Sequence, residues 1–499
     1  MSHLKRILAC SAIGVLSMLL LGAWALSSPV GATPDEDFHL ASIWCGSGER
    51  EGLCGPGSVP ENRAIPDKIE ESICYAHDDT ESAACQGPNF QDAGFGLTDT
   101  RRVNSDTQYP SGYYFWSSLL ASDNLALSTI ALRFAHAAVF TVLAISLWLL
   151  LPRGNRPGLL GGIALTFVPL GLFLIPSVNP SGWAIASGAL LLPALAGYFR
   201  SSGWRMWALA AFAVLAALMS LGSRGDSAAY TVVAALAASV LSFELTRGFW
   251  LRAILPIAIV VSAGVAFLSA GQTGLALEGM TQNGFDYLNP GELLIENILA
   301  LPELFVGVLG QSFDGTEFTG LGWLDTPLPA TVWGPTVIVF AGVVFVSLKW
   351  IDWRRAVALA GVGAAAVAVP LYILSTSHVL VGYQVQPRYI MPLITMFAVV
   401  ALTPSIVAQR AGIGIPGLTR FQSWIVAALL SLANAIALFA NMRRYTWPGN
   451  FNLNGGDWWW NAGPSPMMTL GIGVLAFAVL AVMLAELAWR NRSRQEVEA

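Results

Sequence analysis

Twelve long apolar runs constrain this chain more than any other feature of its sequence. They lie at approximately 7–27, 128–150, 158–177, 181–199, 204–222, 227–245, 252–270, 332–348, 356–375, 389–408, 421–440 and 467–489. Each is about twenty residues long, enough for a helix to cross roughly 30 Å of hydrocarbon with its backbone hydrogen bonds satisfied internally. The expected fold is all-α: a single polytopic membrane domain over 1–499 with about twelve transmembrane helices. Composition agrees, with 55% hydrophobic and 11% charged residues, against about 25% charged in soluble domains. This excludes a cytosolic enzyme and a disordered chain. A net charge of −5 with 26 basic residues leaves no basic surface for a polyphosphate backbone, so no nucleic acid is expected as a partner.

Basic residues orient the spans. With the N-terminus inside, short inner segments and termini hold sixteen Lys and Arg, from Lys5 and Arg6 to Arg490, Arg492 and Arg494. The short outer loops hold four: Arg224, Arg388, Arg443 and Arg444. The expectation is a plasma-membrane protein with both termini cytoplasmic. Val30-Gly31-Ala32 reads as a possible signal-peptidase site. The apolar run before it exceeds the 7–15 residues usual for a signal peptide, so a retained first helix is expected. Two outer segments are long, 28–127 and 271–331, and a third, 441–466, is rich in Trp, Asn and Gly. No inner loop is long enough to fold alone, so chemistry is expected on the extracytoplasmic face.

Four of the five cysteines, Cys45, Cys54, Cys74 and Cys85, share the first outer loop. In an oxidising compartment they make two disulfides. Three pairings exist, the local one, Cys45–Cys54 with Cys74–Cys85, being the simplest. With no C-x-x-C and no paired His, a zinc site is not expected.

Polar chemistry inside the spans is sparse. Arg133 and His136 lie near the outer end of the second run and Glu486 near the inner end of the last. Interfacial snorkelling and a local ion pair with Arg490 account for them. The outer face is richer. Thr33-Pro34-Asp35-Glu36-Asp37-Phe38-His39 follows the first run. One reading is a short helix opened by Pro34, with acids in its first turn. The other is a carboxylate held at the membrane surface as general base. Gln108-Tyr109-Pro110-Ser111-Gly112-Tyr113-Tyr114 reads as an interfacial aromatic belt or as rings stacked on a sugar. Arg224 and Arg388 break the positive-inside pattern and suit bidentate phosphate contact. Pairing to a lipid headgroup, or of Arg224 to Asp226, is the alternative. Glu292, Glu296 and Glu303 recur at near-helical spacing among Leu, Ile and Phe, the pattern of an interfacial amphipathic helix. Asp325 sits in a Gly/Pro turn that it is placed to cap. No nucleotide-binding or hydrolase motif is present.

Taken in order along one membrane face, these segments resemble a domain-of-unknown-function family of predicted bacterial multi-pass membrane proteins related to the GT-C glycosyltransferases. The resemblance runs from about Pro34 to Pro404. It is carried by Pro34-Asp35-Glu36 with His39, by Tyr109-Pro110 with Tyr113-Tyr114, and by Ser177-Val178-Asn179-Pro180. Gly322 with Leu324-Asp325-Thr326 and Leu328-Pro329, and Arg388-Tyr389 with Pro392, complete it. Ser181 stands where the family usually has Asp, Pro387 where Gly is common, and Tyr230 follows Arg224 by six residues. The resemblance implies transfer of a sugar from a polyprenyl-phosphate donor to a cell-envelope glycan or lipid acceptor, with inversion at the anomeric carbon. Asp35 would be the base, with Glu36 or His39 orienting it or the acceptor. Arg388, with Arg224, would hold the lipid phosphate, and Tyr113 and Tyr114 would flank the sugar. Tyr389, Asn179 and Asp325 fall on the family's other marked positions and belong to the expected substrate site. A divalent cation is used by some such enzymes and not by others. The rival readings are a transporter or flippase of lipid-linked envelope precursors, and a non-catalytic assembly protein. A transport path needs polar groups through the bilayer, whereas a transferase needs them at one face.

Overall fold

The structure is a computed structural model that describes residues 3–92, 94–269, 288–311, 319–383, 385–446 and 451–498. It is mostly helical. Among the described residues, eleven helices are long and apolar enough to cross a membrane, from Ile7–Leu26 to Pro466–Trp489. The sixth expected run is the exception. Its helix, Ser227–Leu241, has 15 residues, or about 22 Å at 1.5 Å per residue, and Ser242 ends it three residues before the expected boundary. It still packs between the Ser181–Phe199, Arg247–Ser269 and Trp353–Thr376 helices. The third expected run forms a helix from Arg153 to Leu174 that is interrupted at Phe167–Gly171, where Pro169 removes a backbone donor.

The bundle closes through its first and last helices. His3–Leu26 packs against Pro466–Glu498 and against Leu125–Leu150. The Trp24 indole donates to Asn434 at 3.1 Å. Trp459 and Trp460 both donate to the Leu26 carbonyl, an acceptor left open at the helix end. At one end of the bundle the loops are short and tied by arginines. Arg200, for example, bonds Asn155 at 2.9 Å, Gln409 at 3.1 Å and the Pro404 carbonyl at 2.7 Å. At the other end the long loops gather into a cap.

The cap departs from all-α only locally. Gly55–Pro56, Arg63–Pro66 and Leu97–Thr100 form a three-stranded antiparallel sheet. Disulfides join Cys45 to Cys54 and Cys74 to Cys85, with Cα atoms 5.2 and 6.0 Å apart, as the local pairing predicts. Cap and bundle share one apolar cluster, in which Trp44, Tyr75 and Tyr113 meet Val178 and Tyr445. The acidic Leu/Ile segment is a helix, Pro290–Val308. Asn289 caps it, accepting from the Glu292 amide at 2.9 Å while Glu292 answers back. Much of the second long loop, 270–287 and 312–318, lies outside the described residues.

Candidate functional site

At the cap end of the bundle lies a cleft of about 470 Å³, within the roughly 300–1,000 Å³ range of small-molecule sites. Pro34, Asp35, His77, Arg102, Trp323 and Arg388 are among its lining residues. Asp35 is the only carboxylate that lines it among the described residues.

Asp35 immediately precedes the helix Glu36–Trp44, with φ 57° and ψ 25°, and its side chain makes no capping hydrogen bond. The helix is not opened by Pro34: it starts two residues later, at Glu36, with Glu36 and Asp37 in its first turn and Asp35 ahead of it. A left-handed conformation costs a non-glycine residue of order 1 kcal/mol and persists only where neighbours impose it. Three contacts do so. The Glu36 carboxylate accepts from the Thr33 amide at 2.8 Å and its hydroxyl at 3.0 Å, closing the turn across Asp35. Arg133 binds that carboxylate at 3.0 Å, and also the Ala25, Ser28 and Pro29 carbonyls at 2.9, 2.6 and 2.7 Å. Asn179 donates to the Pro34 carbonyl at 2.9 Å while its own oxygen accepts from the Ser181 amide. The turn is thus held from the first, second and fourth spans at once. Arg133 is not a snorkelling side chain: it and Glu36 form a fully buried pair, 2% and 0% exposed.

The Asp35 side chain is 41% exposed and faces two arginines. Arg388, at the start of Pro387–Ala401, reaches Asp35 at 3.2 Å, and Arg102 approaches the other carboxylate oxygen at 3.7 Å. Arg102 is itself held by Asp37, with Nη2 to Oδ1 at 2.8 Å. Arg388 is 6% exposed, and its Nε and Nη1 have no hydrogen-bond partner among the described residues; neither has Gln386 Oε1, also buried. Unmatched donors on a buried cation are costly, and these adjoin the cleft. A narrow, mainly apolar slot of about 30 Å³ continues beneath, past Leu170, Phe173 and Leu328. It has room for little more than a water or two.

The remaining expected residues are not among those that line the cleft. Tyr389 lies between the two arginines, with the Arg224 guanidinium 4.4 Å and the Arg388 guanidinium 5.0 Å from its ring centre. Arg224 is bidentate to Asp226, both contacts at 2.9 Å, and donates to the Ser181 hydroxyl, so its charge is matched within the protein. His39 is buried, with Nδ1 2.9 Å from the Tyr114 hydroxyl. Burial, then the nearby Arg388 and Arg224, hold its pKa well below 6.5, so it is neutral. Burial likewise pushes Tyr109 up to about 12. Tyr113 and Tyr114 are 0% and 2% exposed. Tyr113 packs against His136 and Trp183, so these rings belong to the core under the cleft and not to its open surface. Asp325 is buried against Arg444 at 2.9 Å, in place of capping its own turn. Arg444 also bonds the Tyr75, Asp78 and Glu81 carbonyls, stitching the first long loop to the second. Glu486 meets Arg420 at 2.9 Å at the far end of the bundle. Among the described residues no three His, Cys, Asp or Glu side chains are grouped to hold a metal.

Sequence reasoning missed Arg102, Gln386 and the role of Arg444. The signal for Arg102 was the Arg101-Arg102 pair in a loop too long to enter the charge-asymmetry count.

With this geometry in hand, the chain can be set beside known protein families. A family profile described as "Predicted membrane protein (DUF2142)" matches residues 18–397. That range begins within the first span, ends within the helix Pro387–Ala401 and includes both partners of the Asp35–Arg388 pair. No curated protein matches the chain.

Proposed function

The chain belongs to the DUF2142 family of predicted membrane proteins, and from that premise we propose that it is a membrane glycosyltransferase of GT-C type. In this reading it moves a sugar from a polyprenyl-phosphate donor to a cell-envelope acceptor, on the extracytoplasmic face of a bacterial plasma membrane, with both termini cytoplasmic. One observation carries the reading: a half-exposed carboxylate, locked in a strained backbone conformation, faces a cleft beside a buried arginine with unmatched donors. Strain retained at a cleft marks pre-organisation. Asp35 is the base for the acceptor hydroxyl, which ionises too poorly to attack unaided at neutral pH. The displaced group leaves as polyprenyl phosphate, and the Arg388 guanidinium matches its growing charge with bonds that are already oriented. Asn179, Glu36 and Arg133 hold the turn, and Tyr389 sets the spacing of the arginines. The ionisable side chains of the described spans lie towards the ends of the bundle, Arg133 beside the cap and Glu486 at the far end. That favours one-sided chemistry over a transport path.

The test uses purified protein with polyprenyl-phosphate hexose and pentose donors, measuring donor binding and sugar transfer separately. Asp35→Asn keeps the size and most hydrogen bonds and cannot take a proton. It is expected to fold, bind donor and lose about 10²–10⁴-fold in turnover. Arg388→Ala is expected to weaken donor binding by roughly 10–150-fold, the equivalent of one charge-assisted contact of about 1.5–3 kcal/mol. Near-normal transfer by Asp35→Asn would remove Asp35 as base, and wild-type protein that binds none of the donors would remove the function.

A further inference from the structure

The segment leading from the cap into the second span has two unlike faces. In the helix Ser111–Ser118, Tyr113, Tyr114, Ser117 and Ser118 are buried. On the other side, Phe115 is 46% exposed and Trp116 61%, and Leu119 and Leu120, just past the helix end, are 64% and 39% exposed. Four large apolar side chains facing outward is unusual for a loop in water. It is more so beside the charge of the rest of the cap. Residues 28–106 hold 15 acidic and 5 basic residues, whereas 107–122 hold no Asp, Glu, Lys or Arg.

The position of the helix says what covers that face. The Tyr113 amide donates to the Gly222 carbonyl at 2.8 Å. A side chain on Gly112 would come within 3.0 Å of Gly222, so the two glycines permit the close approach. The helix therefore sits on the cap end of the span Gly203–Leu221. Leu218, one turn below that end, is 62% exposed, and Leu127, in the first turn of the following span, is 61% exposed. The apolar face thus runs into the outward faces of two membrane-spanning helices, with Asp123 the one charged residue along the chain between Leu120 and Leu127. Its Trp is the residue type that prefers the membrane interface.

We propose that Ser111–Ser118 is an interfacial foot that sets Phe115, Trp116, Leu119 and Leu120 into the lipid leaflet at the cap end. Its buried face carries the consequence. Tyr114 on that face bonds His39, which lies four residues after Asp35. One short helix therefore touches lipid on one side and, through His39, the helix that follows Asp35 on the other. It fixes the height of the cleft above the acyl chains, whatever reaction the cleft performs.

Full-length protein is tested in nanodiscs of phosphatidylethanolamine and phosphatidylglycerol. In a Cys10→Ser background, Leu119→Cys, Trp116→Cys and, as control, Val59→Cys are each labelled with the environment-sensitive fluorophore NBD. Val59 is exposed in the charged part of the cap. The foot predicts blue-shifted emission at 116 and 119, quenching by lipids carrying a shallow spin label, and protection from aqueous iodide. The 59 probe is expected to behave in the opposite way. Iodide quenching at both 116 and 119 without lipid quenching would overturn the proposal. So would protection from both quenchers, which would put a second copy of the chain or another protein on this face.

Discussion

Removing Arg133 while leaving Glu36 in place would strand a carboxylate that is 0% exposed. Arg133→Met is a fair volume match. It deletes the Glu36 pair and the donors to the Ala25, Ser28 and Pro29 carbonyls. At about 1.5–3 kcal/mol per charge-assisted bond a naive sum would be large. Water entry and local relaxation limit it, and breaking a buried pair by removing one partner typically costs about 3–5 kcal/mol. Adding Glu36→Gln should recover part of that loss. Glutamine still accepts from the Thr33 amide and hydroxyl, and no uncompensated charge remains. Three carbonyls still lose their donor, so recovery is incomplete. The expected result is a single-variant loss near 4 kcal/mol and a coupling of about 1–3 kcal/mol between the two positions. SDS titration of both single variants and the double variant in mixed micelles, followed by tryptophan fluorescence, measures the cycle. A loss under about 1 kcal/mol for Arg133→Met, or a double variant that costs the sum of the singles, would refute the pairing and its hold on the Asp35 turn.

Two further outcomes follow from the cap. Removing the Cys74–Cys85 bridge by Cys74→Ser with Cys85→Ser opens a loop with a sequence separation of 11. It should lower cap stability by about 3 kcal/mol, seen as a lower melting temperature that reductant no longer changes at this bridge. His39 is neutral in the folded protein and titrates near 6.5 when unfolded. Below that pH the unfolded chain gains a proton that the folded protein does not take up. Stability attributable to His39 is therefore full above pH 6.5 and falls by up to about 1.4 kcal/mol per pH unit below it. Melting curves from pH 7.5 to 5.5 should show this slope, reduced in His39→Gln; an unchanged slope would place the titration elsewhere.

The spans, the disulfide pairing and the meeting of Asp35 with Arg388 were legible because each leaves a local mark: an apolar run, a shared oxidising loop, a charge on the unexpected side. The buried partnerships were not. Arg133 looked like an interfacial arginine because depth along a helix says nothing about a carboxylate 97 residues away. Arg444 was placed beyond the last-but-one span, since the run of apolar residues ends near 440. The helix itself continues to Thr446, because interior contacts with Asp325 and three carbonyls replace the missing apolar stripe. Tyr113 and Tyr114 stood out as aromatics, and only the packing shows that the exposed pair of that helix is Phe115 and Trp116. The sixth run had the composition of a span, but its helix stops at Leu241, before Glu244, which turns back to Arg410.

The separation of the two halves of the cleft along the chain has a consequence in time. Asp35 and Arg388 are 353 residues apart, whereas Glu36 and Arg133 are 97 apart. At about 5–20 residues per second of synthesis, the ribosome delivers Arg133 roughly 5–20 s after Glu36, but Arg388 only about 20–70 s after Asp35. The charge that must be sealed away receives its partner early, from the next span. The carboxylate that faces the cleft waits in water, at no desolvation cost, until most of the chain has been made. A chain released before its tenth span would hold a shaped turn with Arg102 facing it and the Arg388 side empty.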